Sequence, residues 1–207
     1  AAIVIASVWP LFDLTHLSDH GKFYRMDALI HGVTFLAVLI QGVEVGLVIG
    51  ICTSIALFVR RTSRPKVTIV GRLGDTTHFR NIERFDDAKS SPRVLAVRID
   101  ENLYFTNVNR IEDRLLRIVE QQGDARDILL VCSAINFIDV SGLEMLRRVR
   151  ANFAAVGVTM HLSDVKGPVM DQLQSVGFDK ELGEDRIHLT ADNALRAIDE
   201  ADSKRRC

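Results

Sequence analysis

Tryptophan occurs once, tyrosine twice and cysteine three times in this chain of 207 residues. Cys52, Cys132 and Cys207 lie far apart and no C-x-x-C pair occurs, which argues against a disulfide framework or a zinc site and fits a reducing compartment for the soluble part. A surplus of either charge is also missing. The 26 basic side chains stand against 27 acidic ones for a net charge of −1, so nothing pulls the whole molecule toward nucleic acid, and no nucleic-acid partner is expected. The glycine-rich phosphate loops G-x-x-x-x-G-K-[ST] and G-x-G-x-x-G are absent as well, which argues against an ordinary nucleotide enzyme. No cofactor, no metal and no enzymatic activity are expected. The chain opens at Ala1 inside an apolar run, AAIVIASVW, with no Met and no basic leader; this does not read as a signal peptide, and a cut through a longer protein is expected.

The most informative scarcity is local. From Ala28 to Val59 there is no Lys, Arg or Asp, and Glu44 is the only acid. This stretch of about 32 residues would make a helix of about 48 Å, too long for one crossing of a bilayer core about 30 Å thick and short for two. Both flanks are basic, Lys22 and Arg25 before it and Arg60, Arg61, Arg64, Lys66 and Arg72 after it. Because cytoplasmic flanks collect Lys and Arg, a hairpin satisfies both ends, with its turn near Gln41, Gly42, Val43 and Glu44. A single tilted helix is the alternative. Gly42, Gly46 and Gly50 recur every four residues, a spacing that lets helix backbones approach closely. Glu44 is either an intramembrane ligand or, preferably, a turn residue at the outer interface.

After Pro65 short apolar runs alternate with amphipathic stretches. Lys66–Val70, Val94–Ile99, Ile128–Cys132 and Val158–Leu162 read as strands, and Val108–Gln121, Leu143–Phe153, Gly167–Ser175 and Asp192–Ala201 as helices. The alternation predicts an α/β domain, a β-sheet covered by helices. Gly74–Pro92 is polar and turn-rich and reads as an exposed loop.

The run INFIDVSGLEM, Ile135 to Met145, is a strand end followed by a helix start, and the first helical N–H groups there are left to face outward. Such a corner can receive an anion or a phosphorylated side chain. Ser141-Gly142-Leu143-Glu144 also fits S-x-x-E, a capping box with Ser141 as N-cap and Glu144 bonding back. The same run resembles the I-D-x-S-G signature of STAS domains, found in bacterial anti-sigma-factor antagonists and in the tails of SulP anion transporters. Other segments resemble the transporter branch in the same order: the hairpin with Gly42-Val43-Glu44 and Gly46 its last two transmembrane helices, VRRTSRP from Val59 to Pro65 its membrane exit, Gly71-Arg72 its first strand end, and Leu103-Tyr104-Phe105 with Asn107 its L-Y-F-x-N segment. Glu101 and Asn102 depart from the pattern, standing where a small turn residue is common.

The resemblance implies the C-terminal part of a SulP transporter: residues 1–22 the end of a truncated transmembrane helix and a connecting segment, 23–62 a transmembrane helical hairpin, and 63–207 a cytoplasmic STAS domain. It implies secondary transport of an anion of the sulfate, bicarbonate or dicarboxylate class, in a multi-pass inner or plasma membrane protein. Its implied partners are the lipid bilayer, a small anion bound by upstream helices, a regulatory protein at the STAS domain and a second copy in a homodimer. Ser141, Asp139 and Gly142 become the regulatory candidates, Ser141 standing where the antagonists are phosphorylated. The alternative is a membrane-tethered STAS adaptor that binds a kinase or anti-sigma-type partner. His16 and His20, with Asp19 between them, have metal-ligand spacing but read better as a membrane flank. His31 reads as interfacial rather than as a proton relay, and Cys132 as a buried strand thiol.

Overall fold

The computed structural model describes residues 25–74, 76–91 and 93–206, and the chain divides into two compact units after Arg61. His16, Asp19 and His20 lie outside the described residues. In the first unit, helix α1 (Arg25–Gln41) and helix α2 (Val43–Thr62) are separated by Gly42. Gly42 has φ +85°, a conformation that costs glycine little and other residues much. An ideal Cβ on Gly46 would fall 2.6 Å from the Val38 Cα, and one on Gly50 would fall 2.6 Å from Thr34 Oγ1. The two helices therefore fold back along each other, and the four-residue glycine repeat is the line of closest approach. The outer surface of α2 presents Leu47, Val48, Ile51, Ile55 and Phe58 uncovered. Val43–Thr62 is long and apolar enough to cross a bilayer, and Leu29–Gln41 is a shorter apolar helix.

The second unit is a sheet with helices on both faces. Its strands are β1 (Val67–Leu73), β2 (Phe79–Asn81), β3 (Ala88–Lys89), β4 (Val94–Ile99), β5 (Asp127–Val131), β6 (Thr159–Ser163) and β7 (Ile187–His188). Spatially they run β2-β1-β4-β5-β6-β7, with β3 also on β1. β4 to β7 are parallel, while β1 is antiparallel to β2, β3 and β4. The parallel strands need crossovers, supplied by α3 (Val108–Gln121) and α4 (Val140–Ala155), and by α5 (Gly167–Ser175) with α6 (Phe178–Leu182). The chain closes with α7 (Ala191–Arg206).

Alternation along the strands sorts side chains into two cores. Leu95, Val97, Ile128 and Leu130 join Ile111, Leu115, Met145 and Phe153 beneath α3 and α4. Val94, Ala96, Leu129 and Val131 face the other way, against Ala191, Ala194 and Ile198 of α7. Ion pairs from Arg72 to Asp192 and from Arg93 to Asp202 tie α7 to the sheet.

Gly74–Pro92, expected as an exposed loop, instead carries β2 and β3. Both are very short and mostly polar, and they exist through pairing with β1, a tertiary effect that local pattern does not display. The helix expected at Leu143–Phe153 begins earlier, at Val140.

Candidate functional site

The corner between β5 and α4 is held by hydrogen bonds from two loops. Leu103 pairs with Ile138 in a parallel bridge, its N–H donating to the Phe137 carbonyl at 3.1 Å and its carbonyl accepting from the Asp139 N–H at 3.0 Å. Asn102 reinforces this: its Oδ1 accepts from the Asn136 N–H at 2.6 Å and the Phe137 N–H at 3.2 Å, while its Nδ2 donates to the Tyr104 hydroxyl at 2.8 Å. Asn107 is fully buried and closes the 102–107 turn, donating to the Asn102 carbonyl at 2.9 Å and accepting from the Tyr104 N–H at 3.1 Å. Asn107 was legible as part of a motif. In the sequence Asn102 shows only as a departure from the family pattern, although an Asn beside a turn is a ready source of such side-chain to backbone bonds.

The helix cap falls to Asp139, which corrects the capping-box expectation. Asp139 is extended (φ −89°, ψ 179°) and its Oδ1 accepts from the Gly142 N–H at 2.8 Å. Its second oxygen, Oδ2, accepts from the Phe105 N–H at 2.8 Å. Ser141 stands two positions into the helix, half-buried, and its hydroxyl has no hydrogen-bond partner among the described residues. Glu144 pairs with Arg147 at 3.2 Å instead of reaching back. Asp wins because the helix begins at Val140: Asp139 is the extended residue just before it and its short carboxylate reaches the Gly142 amide, whereas Ser141 already lies inside the helix.

Gly142 is required by packing. An added Cβ would meet the Leu103 Cβ at 2.8 Å and Ile138 Cγ2 at 2.9 Å. The helix start is pressed against the 103/138 bridge, which places the Ser141 backbone at the edge of the corner. Around it Phe105, Phe137, Val140 and Val176 are exposed apolar side chains. A cleft of about 220 Å³ runs beside them between Val140, Leu143, Gln172 and Val176. The corner thus combines a free hydroxyl at a helix N-terminus with an uncovered apolar rim, which suits a modifiable contact surface more than a reaction centre.

Elsewhere, Cys132 is buried just past β5, and burial, with Asp164 nearby, pushes its thiol up to about 12, so it is inert at neutral pH. On the α7 face His161 Nε2 lies 3.3 Å from Asp127 Oδ1 and its Nδ1 lies 3.2 Å from His188 Nε2. Burial, with His161 alongside, lowers the His188 pKa below the usual imidazole value, against an opposing pull from Asp185. Among the described residues no three His, Cys, Asp or Glu side chains gather as a metal would require. Glu44 lies in the first turn of α2, and His31 lines a groove of about 440 Å³ in the first unit.

Residues 87–194 match the STAS domain family. Over 204 residues the chain is 28% identical to Sulfate transporter 1.1 of Arabidopsis thaliana, covering 94% of this chain and 31% of that protein. High affinity sulfate transporter 2 of Stylosanthes hamata matches with the same identity and the same coverage, 94% and 31%. The chain thus spans 31% of the length of these relatives. In three dimensions it superposes on the murine Solute Carrier 26 family member A9 anion transporter in the inward-facing state with a TM-score of 0.80 and 19% identity, covering 93% of this chain and 31% of that one. A second structure, of SLC26A9, gives a TM-score of 0.77 at 18% identity, with 93% and 33% covered. At such identities the likeness is one of fold.

Proposed function

Because this chain belongs to the STAS domain family and is the C-terminal part of a SulP-type protein, we propose that the whole protein carries a small anion across a membrane. One observation carries the reading: the likeness to the two plant sulfate transporters takes in 94% of the chain, helical pair and α/β domain together. A free-standing signalling domain would match through the α/β domain alone. In this reading α1 and α2 form a transmembrane hairpin and the segment after Thr62 is cytoplasmic, following the basic flank at Arg60, Arg61 and Arg64.

Sulfate is the substrate class to test first, with bicarbonate and dicarboxylates as the alternatives. The substrate site belongs to helices upstream of this chain, where broken-helix N-termini can face an anion. The STAS domain regulates or assembles the transporter through the Asp139–Gly142 corner, where a regulatory protein or modification of Ser141 would act, and the transporter works as a homodimer. Uptake of labelled sulfate, bicarbonate and a dicarboxylate into vesicles holding the full-length protein tests the proposal. Saturable uptake of one of them supports transport. Uptake equal to that of empty vesicles for all three leaves the tethered adaptor as the better reading.

A further inference from the structure

One cleft of the α/β unit is far from neutral. It is an open cleft of about 620 Å³ between the start of β1, the 80–85 segment, the end of β4 and α3, and five basic side chains line it against two acidic ones. One acid is already used, since Arg98 Nε donates to Asp100 Oδ1 at 2.5 Å. Lys66, Arg84 and Arg114 have no acidic partner among the described residues, and Arg80 reaches only the carbonyl of its neighbour Phe79 at 3.5 Å. Glu83 is the remaining acid on the lining.

This clustering is not a by-product of a basic protein, because the chain as a whole carries a net charge of −1. Elsewhere on the same domain Arg147 pairs with Glu181 at 2.7 Å and Arg148 with Glu112 at 2.8 Å. In the cleft four cations without a carboxylate partner among the described residues share one concave lining, which concentrates their field, and a multivalent anion would relieve their repulsion. Planar guanidinium forks at Arg80, Arg84 and Arg114 match phosphate oxygens bidentately, with Lys66 as a compact point charge beside them. The volume falls in the range of small-ligand sites. Phe85, partly exposed on the same lining, offers an apolar contact next to the charges.

We propose that the Lys66/Arg80/Arg84/Arg114 cleft binds a ligand bearing two or more phosphate groups. Two sources share this chemistry, a phosphorylated lipid headgroup and a soluble polyphosphate. The lipid source has one covalent argument in its favour: Pro65 on the cleft lining follows the end of the apolar helix α2 at Thr62 by only about 10 Å of chain. The site does not depend on the transport reading, and its test uses no uptake measurement.

The full chain in phosphatidylcholine nanodiscs is titrated with inorganic tripolyphosphate, and in parallel with nanodiscs in which a bisphosphorylated phosphatidylinositol is introduced. The double variant Arg84→Gln/Arg114→Gln should weaken binding of the true ligand about tenfold or more. The control Arg126→Gln/Lys180→Gln removes the same charge outside the cleft and should leave it within about twofold. Tripolyphosphate binding with this pattern supports a soluble ligand, and binding of the bilayer lipid alone supports a headgroup. Binding of neither probe, or equal weakening by both double variants, overturns the proposal. All four positions are exposed side chains, and an unchanged thermal transition in each variant separates lost binding from lost folding.

Discussion

Asp139 and Phe105 lie 34 positions apart in sequence, yet the Phe105 N–H donates to Asp139 Oδ2 at 2.8 Å while the other carboxylate oxygen caps α4. One side chain therefore fixes both the helix start and the loop that packs over it. Asp139→Ala removes both bonds and should destabilise the domain by about 2 kcal/mol, a cap plus one charge-assisted hydrogen bond. Asp139→Asn keeps a capping oxygen and should lose about half of that. The shift in the urea midpoint of the chain from Thr62 onward, at unchanged slope, measures each loss. An alanine variant as stable as the parent would show that the corner is held without this carboxylate.

The segment Thr62–Cys207 should fold by itself. Both hydrophobic cores are built from residues after Arg61, and starting at Thr62 preserves the carbonyl that Asn107 Nδ2 approaches at 3.4 Å. A purified fragment should show one cooperative thermal transition. A broad, non-cooperative melt would place the domain boundary elsewhere.

Gly142→Ala sets two effects against each other. Alanine is the better helix former by about 1 kcal/mol, but its Cβ would stand 2.8 Å from the Leu103 Cβ. Overpacking of this kind costs about 1–3 kcal/mol. Because the 103/138 bridge also aligns Asp139, the clash should win, for a net loss of about 1–2 kcal/mol by urea unfolding. A stabilised variant would mean that the bridge gives way cheaply.

The elements formed by strong periodicity were the legible ones. Val94–Ile99, Val108–Gln121 and Gly167–Ser175 stand where the apolar spacing put them. What local pattern hid was held by partners distant in sequence: β2 and β3 borrow their conformation from β1, and Asn102 shows its purpose only once the 136–137 backbone lies beside it. The S-x-x-E pattern misled for a related reason. Two residues could cap α4, and the choice was made by Phe105, whose amide gives Asp139 a second bond that Ser141 could not make.

His188 should make the domain acid-sensitive. Its folded pKa is lowered, first by burial and then by His161, with Asp185 opposing. Between the ordinary imidazole value and that lower one the unfolded chain binds a proton that the folded chain refuses. This contribution to stability is complete above the unfolded pKa of about 6.5 and is lost as pH falls through the folded pKa. His188→Gln should flatten the urea midpoint against pH in that window. An unchanged acid limb would assign the sensitivity to another group.

Ser141 divides a structural role from a regulatory one, and the geometry reverses the expectation drawn from a capping box. As an N-cap its loss would cost about 1 kcal/mol. Standing two residues inside α4, with Asp139 already capping and no partner for its hydroxyl among the described residues, it should give a Ser141→Ala variant within about 0.5 kcal/mol of the parent, or slightly more stable, since alanine favours helix. Ser141→Asp adds charge at the helix N-terminus, where the dipole welcomes it but the Asp139 carboxylate is near, so its stability should also change little. Its effect should fall on function. A carboxylate among the exposed Phe105, Phe137 and Val140 side chains makes an apolar contact surface costly to cover, as phosphorylation would more strongly. Uptake by the full-length protein should therefore change for Ser141→Asp and remain at parental level for Ser141→Ala. If uptake is unaffected by Asp and stability falls in Ala, the serine is holding the helix after all and the corner is not a switch.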